Sequence, residues 1–571
     1  GEFSYNFTLV QQGKTVTTLI TKIRESLIGE QQLIETAFGV KPLIYADYTA
    51  SGRSLSFIEE FIQHNVLPFY ANTHTETSYT GAQTTALREQ ARQEIRHAVN
   101  ASDKDAVIFT GSGATSAIQK IIDILSLRLP AGLCDKYPLE DQIPETQRPV
   151  VFIGPYEHHS NELPWRESIA TLVTIPLTDE GLLDVAVLEE KLQHYSDRRL
   201  KIGSFSAASN ITGLKTDVDA VTRLLHRFNT LSFWDYAAAG PYVDVDMTGM
   251  IDQRGDSSKD AVFISPHKFV GGPGTPGLLV VKRKLLTNRI PSQPAGGTVV
   301  YVTPESHRYT QNQERREEGG TPAIVESIRA GLVFKLQRAV GVGEIQQQEE
   351  SFVERAMARW SKQTNIDILG NTTQPRLAII SLRIKHKDLD LHYGFVVAVL
   401  NDLFGIQVRG GCFCAGPYAH SLLDLDKPHS ASLETIVSEG ETLMRPGGVR
   451  LNFNYFIDEE TFEYLVSAVE LVARYGAKLL PLYNYDTSAG VWRYQNRTTV
   501  PANNFAQIDF DSDQHYAESA KNQQPLSHFL ALAESALTQP NLNRETYPLR
   551  LSPAAENVRW FVLPQEIDQG G

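Results

Sequence analysis

The sequence predicts an α/β protein, with a large domain built on a mostly parallel sheet covered by helices, a smaller α+β domain and a C-terminal tail. Between about residues 100 and 285, short β-rich runs alternate with amphipathic stretches, and this alternation is typical of a parallel sheet wrapped by helices. From about 375 to 480 the alternation stops, and short strands mix with longer helices. Ligands of such sheets bind beyond the carboxyl ends of the strands.

The predicted elements of the large domain are the strands Ala106–Thr110, Val150–Gly154, Thr171–Ile175, Ile202–Ser206, Leu231–Asp235, Ala261–Ser265 and Leu278–Val281, with helices over Ser116–Leu127 and Asp217–Arg227. The predicted elements of the smaller domain are the strands Leu377–Ile384, Ile406–Arg409 and Val449–Phe453 and the helices Leu391–Leu403 and Glu459–Tyr475. In the tail, which is rich in Asn, Gln, Pro and Ser, the sequence predicts one helix, Leu526–Leu537.

The chain is long enough, at 571 residues, for more than one domain. We expect an N-terminal segment over 1–40, a large domain over 41–335, a small domain over 336–480 and an extension over 481–571. The first residues, Gly1-Glu2-Phe3, resemble a cloning remnant and carry no weight in this division.

The composition excludes several classes of protein. A formal net charge of −14 disfavours nucleic-acid binding, which needs a basic surface. We find no apolar run of about 20 residues, so we expect no membrane span. Three cysteines, Cys134, Cys412 and Cys414, are too few for a disulfide framework and suit the reducing cytoplasm.

The first stretch that carries chemistry is Thr110-Gly111-Ser112-Gly113-Ala114-Thr115, between a predicted strand and a predicted helix. Small residues let backbone N–H groups approach a phosphate, and the start of a helix adds its dipole and unpaired donors. Alternatively, the stretch is a simple tight turn.

Two charged residues at strand ends form the next candidates. Asp235 ends the run Leu231-Ser232-Phe233-Trp234, where it could pair with the pyridine nitrogen of a cofactor, although a turn or cap role is the common one for such an aspartate. Lys268 follows Ser265-Pro266-His267 and precedes several glycines. Burial lowers an amine's pKa and favours Schiff-base chemistry, whereas the alternative is a surface lysine in a loop.

The stretch Glu157-His158-His159-Ser160-Asn161 directly follows another predicted strand. One histidine could lie flat on a cofactor ring and move protons. A zinc site is the rival interpretation, but it would need three or four ligands, and we find no second cluster that supplies them. A pair of surface histidines is the third alternative.

Together these four stretches resemble the class V aminotransferase superfamily (fold type I pyridoxal-phosphate, PLP, enzymes), and within it the cysteine desulfurases and selenocysteine lyases. Further matching stretches are Ser209-Asn210-Ile211-Thr212-Gly213, Asp235-Tyr236-Ala237 and Gly319-Gly320-Thr321-Pro322, and the resemblance spans about Leu43 to Gly476. It implies PLP bound as a Schiff base on Lys268.

The resemblance also implies a role for individual residues. Gly113, Ala114, Thr115, Ser265 and His267 would hold the phosphate, His158 would stack on the ring, Asn210 would contact its hydroxyl side, Asp235 would bind the pyridine nitrogen, and Ala50 and Arg450 would bind the substrate. Thr321 would reach a phosphate in the neighbouring subunit, which implies a homodimer.

The stretch Arg409-Gly410-Gly411-Cys412-Phe413-Cys414-Ala415-Gly416-Pro417 bears on the reaction. By the resemblance, Cys414 takes the position of the desulfurase nucleophile, and the Arg-x-Gly-Cys-Phe-Cys form is similar to the molybdenum-cofactor sulfurases. The alternatives for Cys414 are an inert packing residue and half of a metal site. The sequence departs from the desulfurase pattern at Ala238, where glutamine is usual, and at Thr75, where arginine is common.

The resemblance therefore implies an enzyme that removes sulfur from L-cysteine, or selenium from selenocysteine, through a persulfide on Cys414. Lys268 and His158 would move protons, alanine would be released, and the sulfur would pass to an acceptor protein or thiol. The rivals are a class V aminotransferase, epimerase or β-eliminating lyase that does not use Cys414, and a catalytically silent binding protein of the same fold.

Overall fold

The computed structural model describes residues 16–423, 425, 427–497, 504–511, 520–541 and 543–567. The expected cloning remnant at Gly1-Glu2-Phe3 lies outside these residues. Across the described part of the chain, every helix is too short or too polar to cross a bilayer.

The chain before the central sheet contributes α-helices and β-strands, of which the longest is a helix of 20 residues. They are α1 (Val16–Glu25), β1 (Leu33–Thr36), β2 (Gly39–Pro42), β3 (Ile44–Tyr45), α2 (Ser56–Phe61) and α3 (Tyr79–Ala98). β1 and β2 form an antiparallel hairpin.

A seven-stranded sheet forms the centre of the large domain. Its strands are β4 (Asp105–Thr110), β5 (Val150–Ile153), β6 (Thr171–Thr174), β7 (Lys201–Ser206), β8 (Leu231–Asp235), β11 (Ala261–Ile264) and β12 (Gly277–Lys282). Their order across the sheet is β4-β12-β11-β8-β7-β5-β6. All neighbours pair in parallel except β12, which is antiparallel to both β11 and β4. β7 is buried along its whole length, as expected where helices cover both faces of a sheet.

Helices cover both faces of this sheet. The helices of the large domain are α4 (Gly113–Ile124), α5 (Ala131–Cys134), α6 (Leu163–Arg166), α7 (Val185–His194), α8 (Val218–Arg227), α9 (Gln313–Glu317) and α10 (Ile324–Val340). α4 and α6 cover one face, and α7, α8 and α10 cover the other. Two short hairpins, β9 (Ile251–Asp252) with β10 (Gly255–Asp256) and β13 (Val299–Val302) with β14 (His307–Tyr309), project from the loops.

The second half of the chain begins with α11 (Val342–Trp360) and folds around an antiparallel sheet. Its elements are β15 (Ile366–Ile368), β16 (Ile379–His386), β17 (Leu389–Asp390), α12 (Tyr393–Phe404), β18 (Ile406–Gln407), β19 (Arg409–Gly411), α13 (Gly416–Leu422), α14 (Lys427–Ser438), β20 (Gly448–Asn452) and α15 (Glu459–Tyr475). The strand order is β15-β16-β20-β19, with β17 paired to β16. β18 pairs in parallel with β3, which joins this half to the chain before the central sheet.

The C-terminal extension packs onto this antiparallel sheet and its helices. It contains the hairpin β21 (Tyr483–Asp486) and β22 (Val491–Tyr494), then α16 (Leu526–Thr538) and α17 (Pro553–Glu556). Side chains from all four elements and from the segment around Phe561 belong to the same hydrophobic core as α12, α15 and β16.

The expected fold class is confirmed, and the differences concern individual elements. Leu231–Asp235 and Glu459–Tyr475 agree with the predicted bounds, whereas α4 begins three residues earlier than expected, at Gly113. The strand expected over Ile406–Arg409 is instead two short strands in different sheets. The expectation of one helix in the tail was incomplete, because the tail also contains the β21–β22 hairpin. Alternate aromatic residues of this hairpin are buried, but the polar composition of the tail did not point to them.

Candidate active site

A cavity of about 490 Å³ opens at the carboxyl ends of the parallel strands of the large sheet. It lies between that sheet and the antiparallel half of the molecule. Its lining includes nearly all the site residues predicted from the sequence, namely Ala50, Gly113, Ala114, Thr115, His158, Asn210, Asp235, Ser265, His267, Lys268, Cys414 and Arg450. Thr321 does not line it; this threonine accepts a hydrogen bond from Asn72 Nδ2 at 3.2 Å.

One end of the cavity is formed by the first turn of α4. Gly113 has a φ of +56°, and a Cβ there would lie 2.8 Å from Ser265 Oγ, so the position requires glycine. The Ala114 N–H donates to Ser265 Oγ at 2.9 Å, and Thr115 Oγ1 lies 2.7 Å from Ser160 Oγ. Backbone N–H groups and three hydroxyls therefore converge at a helix start, which is an arrangement suited to a phosphate.

Asp235 and Lys268 lie deeper in the cavity. Asp235 is buried at the end of β8, and its Oδ1 accepts the Ala237 N–H at 2.8 Å. Burial raises the pKa of Asp235, while the Ala237 N–H and the Lys268 ammonium oppose that shift. Lys268 ends the 3₁₀ turn Pro266–Lys268 after β11. Burial, and next the Arg450 charge, lower the pKa of Lys268 from 10.5 to about 8, so its amine becomes a nucleophile near neutral pH.

The two cavity histidines are held neutral. Burial lowers the pKa of His158 to about 4, with the Lys268 charge as a second cause, and the same two causes lower that of His267 to about 4. His158 Nδ1 accepts the Ser160 N–H at 3.1 Å, so that nitrogen carries no proton. A neutral imidazole facing the cavity can lie flat against an aromatic cofactor.

A buried carboxyl group, Glu157, fixes the turn that carries His158. It accepts hydrogen bonds from Ser206 N and Oγ at 3.0 and 2.7 Å and from Asn161 Nδ2 at 2.8 Å. Burial raises the pKa of Glu157 to about 7. These bonds tie the turn after β5 to the end of β7. The sequence placed Glu157 in a matched stretch without giving it this role.

The loop with the two cysteines forms the opposite wall. On an extended loop, the thiols of Cys412 and Cys414 would face the same side. The loop is not extended, because Phe413 and Cys414 have φ values of +55° and +56°. As a result, exposed Cys414 lines the cavity, whereas partly buried Cys412 packs into a separate apolar cluster with Tyr418 and its neighbours. No group of three metal-ligating side chains occurs among the residues that the structure describes.

Two arginines and one aspartate complete the site. Arg450 is buried on β20, and its guanidinium lies 4.8 Å from the centre of the Phe413 ring. Asp47 pairs with Arg450 Nη2 at 3.4 Å and with Arg409 Nε at 3.3 Å. Arg450 Nε is buried and finds no hydrogen-bond partner in the described part of the chain. Arg450 also lines the cavity, where a guanidinium suits a carboxylate ligand. Sequence reasoning missed Asp47, which reaches the site because β3 pairs with β18.

Comparison with known proteins identifies the relatives of the chain. The profile of the family described as aminotransferase class-V matches residues 44–441. The chain belongs to the class V aminotransferase family. This match covers the parallel sheet, the cysteine loop and every residue that lines the cavity except Arg450.

Relatives and solved structures agree with this assignment. A protein of Streptomyces coelicolor named probable cysteine desulfurase is 28% identical over 66% of this chain and 84% of its own length. One with the same name from Halalkalibacterium halodurans is 27% identical over 66% of this chain and 85% of its own. The apo cysteine desulfurase of Thermococcus onnurineus superposes with a TM-score of 0.60 at 21% identity, covering 76% of this chain and 95% of its own. The expected fold type I of PLP enzymes is thereby confirmed.

The class V family is PLP-dependent. Every site residue predicted from the sequence lines this cavity except Thr321, which is exposed. One departure lies inside the cavity. Ala238, which stands where desulfurases usually have glutamine, is buried and contributes to the lining.

Proposed function

We propose that this class V enzyme is a PLP-dependent cysteine desulfurase that takes sulfur from L-cysteine through a persulfide on Cys414. The observation that carries the proposal is that one cavity is lined by Lys268, Asp235, Arg450 and Cys414. A class V enzyme that only transaminates needs the first three but gains nothing from an exposed thiol beside them.

The residues present fit PLP. The first turn of α4 and Ser265 would hold the phosphate. Glycine at position 113 keeps this space open, because a Cβ there would lie 2.8 Å from Ser265 Oγ. Asp235 would face the pyridine nitrogen, and the amine of Lys268 would hold the aldehyde carbon. PLP, when bound, supplies an electron sink that makes the bonds to the substrate Cα labile.

Each remaining step is assigned to a side chain of the chain itself. Arg450 binds the substrate carboxylate with its guanidinium, because this residue lines the cavity. The freed Lys268 amine removes the Cα proton, and the neutral His158 imidazole shields the ring from water. The Cys414 thiolate attacks the substrate sulfur, so that a new S–S bond forms while the C–S bond breaks. The electron pair of that bond goes to the substrate Cβ, which takes up a proton. The protonated Lys268 amine then returns its proton to Cα, so that the product is alanine.

The persulfide on Cys414 must then pass its outer sulfur to an acceptor thiol. Cys414 is exposed at the mouth of the cavity, where an acceptor protein or a small thiol can reach it. All three cysteines are free, and this chemistry suits a reducing compartment such as the cytoplasm. We also propose a homodimer, in which exposed Thr321 completes the phosphate site of the neighbouring subunit.

The test is to incubate the PLP-loaded protein with L-cysteine and a reductant and to measure alanine and sulfide together. We expect equal amounts of the two products. A Lys268→Ala variant is the matched control and should form neither. Pyruvate in place of alanine would indicate β-elimination instead, and a product without sulfide release would indicate transamination. Either result would contradict the proposal.

A further inference from the structure

The 3₁₀ turn His159–Asn161 connects the cysteine loop to the floor of the cavity. The backbone N–H of His159 donates to the carbonyl of Cys414 at 2.7 Å. The imidazole Nε2 of the same residue accepts the Gly416 N–H at 3.1 Å. One residue therefore grips the loop on both sides of Ala415, next to the reactive thiol.

The grip acts on a backbone that needs support. Phe413 and Cys414 are consecutive left-handed residues, a conformation that non-glycine residues adopt at a cost. A second restraint comes from Asn210 Nδ2, which donates to the Phe413 carbonyl at 2.8 Å. A Cβ at Gly416 would lie 3.4 Å from His159 Nε2, which is an ordinary van der Waals contact.

The other end of the turn is fixed to the large domain. Asn161 is buried and bonded to Glu157, and Ser160 Oγ lies 2.7 Å from Thr115 Oγ1 at the start of α4. His158, the preceding residue, lines the cavity itself. The turn that follows His158 therefore fixes both the cysteine loop and the histidine that faces the cavity.

We propose that His159 is a positioning residue that holds Cys414 within reach of the substrate sulfur. It touches neither substrate nor cofactor, and it acts through the loop backbone. The imidazole does so in the tautomer with the proton on Nδ1, since Nε2 must accept a hydrogen bond. The role in sulfur transfer rests on the proposed desulfurase function, whereas the grip on the loop does not.

The test uses two variants of the full-length PLP-loaded protein. In His159→Leu the acceptor for the Gly416 N–H is lost, whereas in His159→Gln the side-chain carbonyl can lie where Nε2 was. Hydrogen–deuterium exchange of the peptide spanning 409–418 reports on the grip. Single-turnover formation of the Cys414 persulfide reports on the positioning.

We expect faster exchange in His159→Leu, by about fivefold for the loss of one neutral hydrogen bond. Persulfide formation should slow by about 10- to 100-fold, as displacement of a reacting atom by about 1 Å predicts. The KM for L-cysteine should not change, because Arg450 is untouched. His159→Gln should stay within about threefold of wild type in both measurements, since it keeps the acceptor. Exchange in α15 serves as the control for general loss of structure.

Wild-type exchange in His159→Leu would overturn the proposal, and so would faster exchange with an unchanged persulfide rate. Equal defects in the Leu and Gln variants would also overturn it, since the acceptor atom would then not matter. If the wild-type protein forms no persulfide, the proposed function fails, and the exchange comparison alone decides whether His159 holds the loop.

Discussion

At the scale of single residues, the site depends on charges that burial makes reactive. Lys268 is the clearest case, because its amine sits among buried groups and near a second cation, Arg450. Asp235 opposes this effect without cancelling it. The result is an amine that loses its proton far more readily than a surface lysine.

This lysine gives a pH prediction. Only the neutral amine can bond to the cofactor aldehyde, and the pKa of Lys268 is about 8, below the usual 10.5. The rate at which the apoprotein binds PLP should therefore rise about tenfold for each pH unit below that value and level off above it. Stopped-flow absorbance follows the reaction, with Lys268→Ala as the control. A rate that keeps rising up to about pH 10 would show an ordinary lysine instead.

At the scale of elements, the central strands could be predicted because each is a short apolar run that ends in a turn. β8 is buried from its second residue onward and ends at Asp235, so the run, the turn and the functional residue are adjacent in sequence. The glycine turn at Gly113 and the lysine turn after β11 were found for the same reason. A local sequence pattern therefore predicts a site residue when that residue directly follows the strand that positions it.

The cysteine loop and Asp47 show where that reasoning stops. The left-handed backbone at Cys414 is held by Asn210 and His159, which are far away in the sequence. Asp47 reaches Arg450 only because β3 pairs with β18. The sequence pattern of either segment says nothing about these partners, so it could name the cysteine but not its surroundings.

The C-terminal extension gives a prediction about stability. Phe561 is fully buried against α12 and β17, and Val562 donates a backbone hydrogen bond to Asp390. Phe561→Ala should therefore destabilise the protein by about 3–5 kcal/mol, because it leaves a large cavity in a shared core. Phe505, in the same extension, is 90% exposed, and Phe505→Ala should change stability by no more than about 0.5 kcal/mol.

Urea and thermal denaturation followed by circular dichroism measure both variants. If Phe561→Ala unfolds at the same midpoint as Phe505→Ala, the extension does not stabilise the half of the molecule that carries the cysteine loop. The extension would then be an appendage rather than part of that core.

At the scale of the whole molecule, the candidate site exists only between two halves. Lys268 and Asp235 come from the parallel sheet, whereas Cys414 and Arg450 come from the antiparallel half. The contact of His159 with the cysteine loop crosses between them, and the pairing of β3 with β18 ties the chain before the central sheet to the antiparallel half. Domain placement is therefore as important to the proposed reaction as any single side chain.

The most direct test of the desulfurase account is mass spectrometry of the cysteine-loop peptide after the PLP-loaded protein has reacted with L-cysteine. The wild-type protein and the Cys412→Ser variant should carry one added sulfur atom on Cys414, because Cys414 lines the cavity and Cys412 packs elsewhere. Cys414→Ser should carry none and release no sulfide, while keeping the visible absorption of the Lys268-linked cofactor. Full release of sulfide by Cys414→Ser would contradict the account, and a lyase that does not use this thiol would replace it.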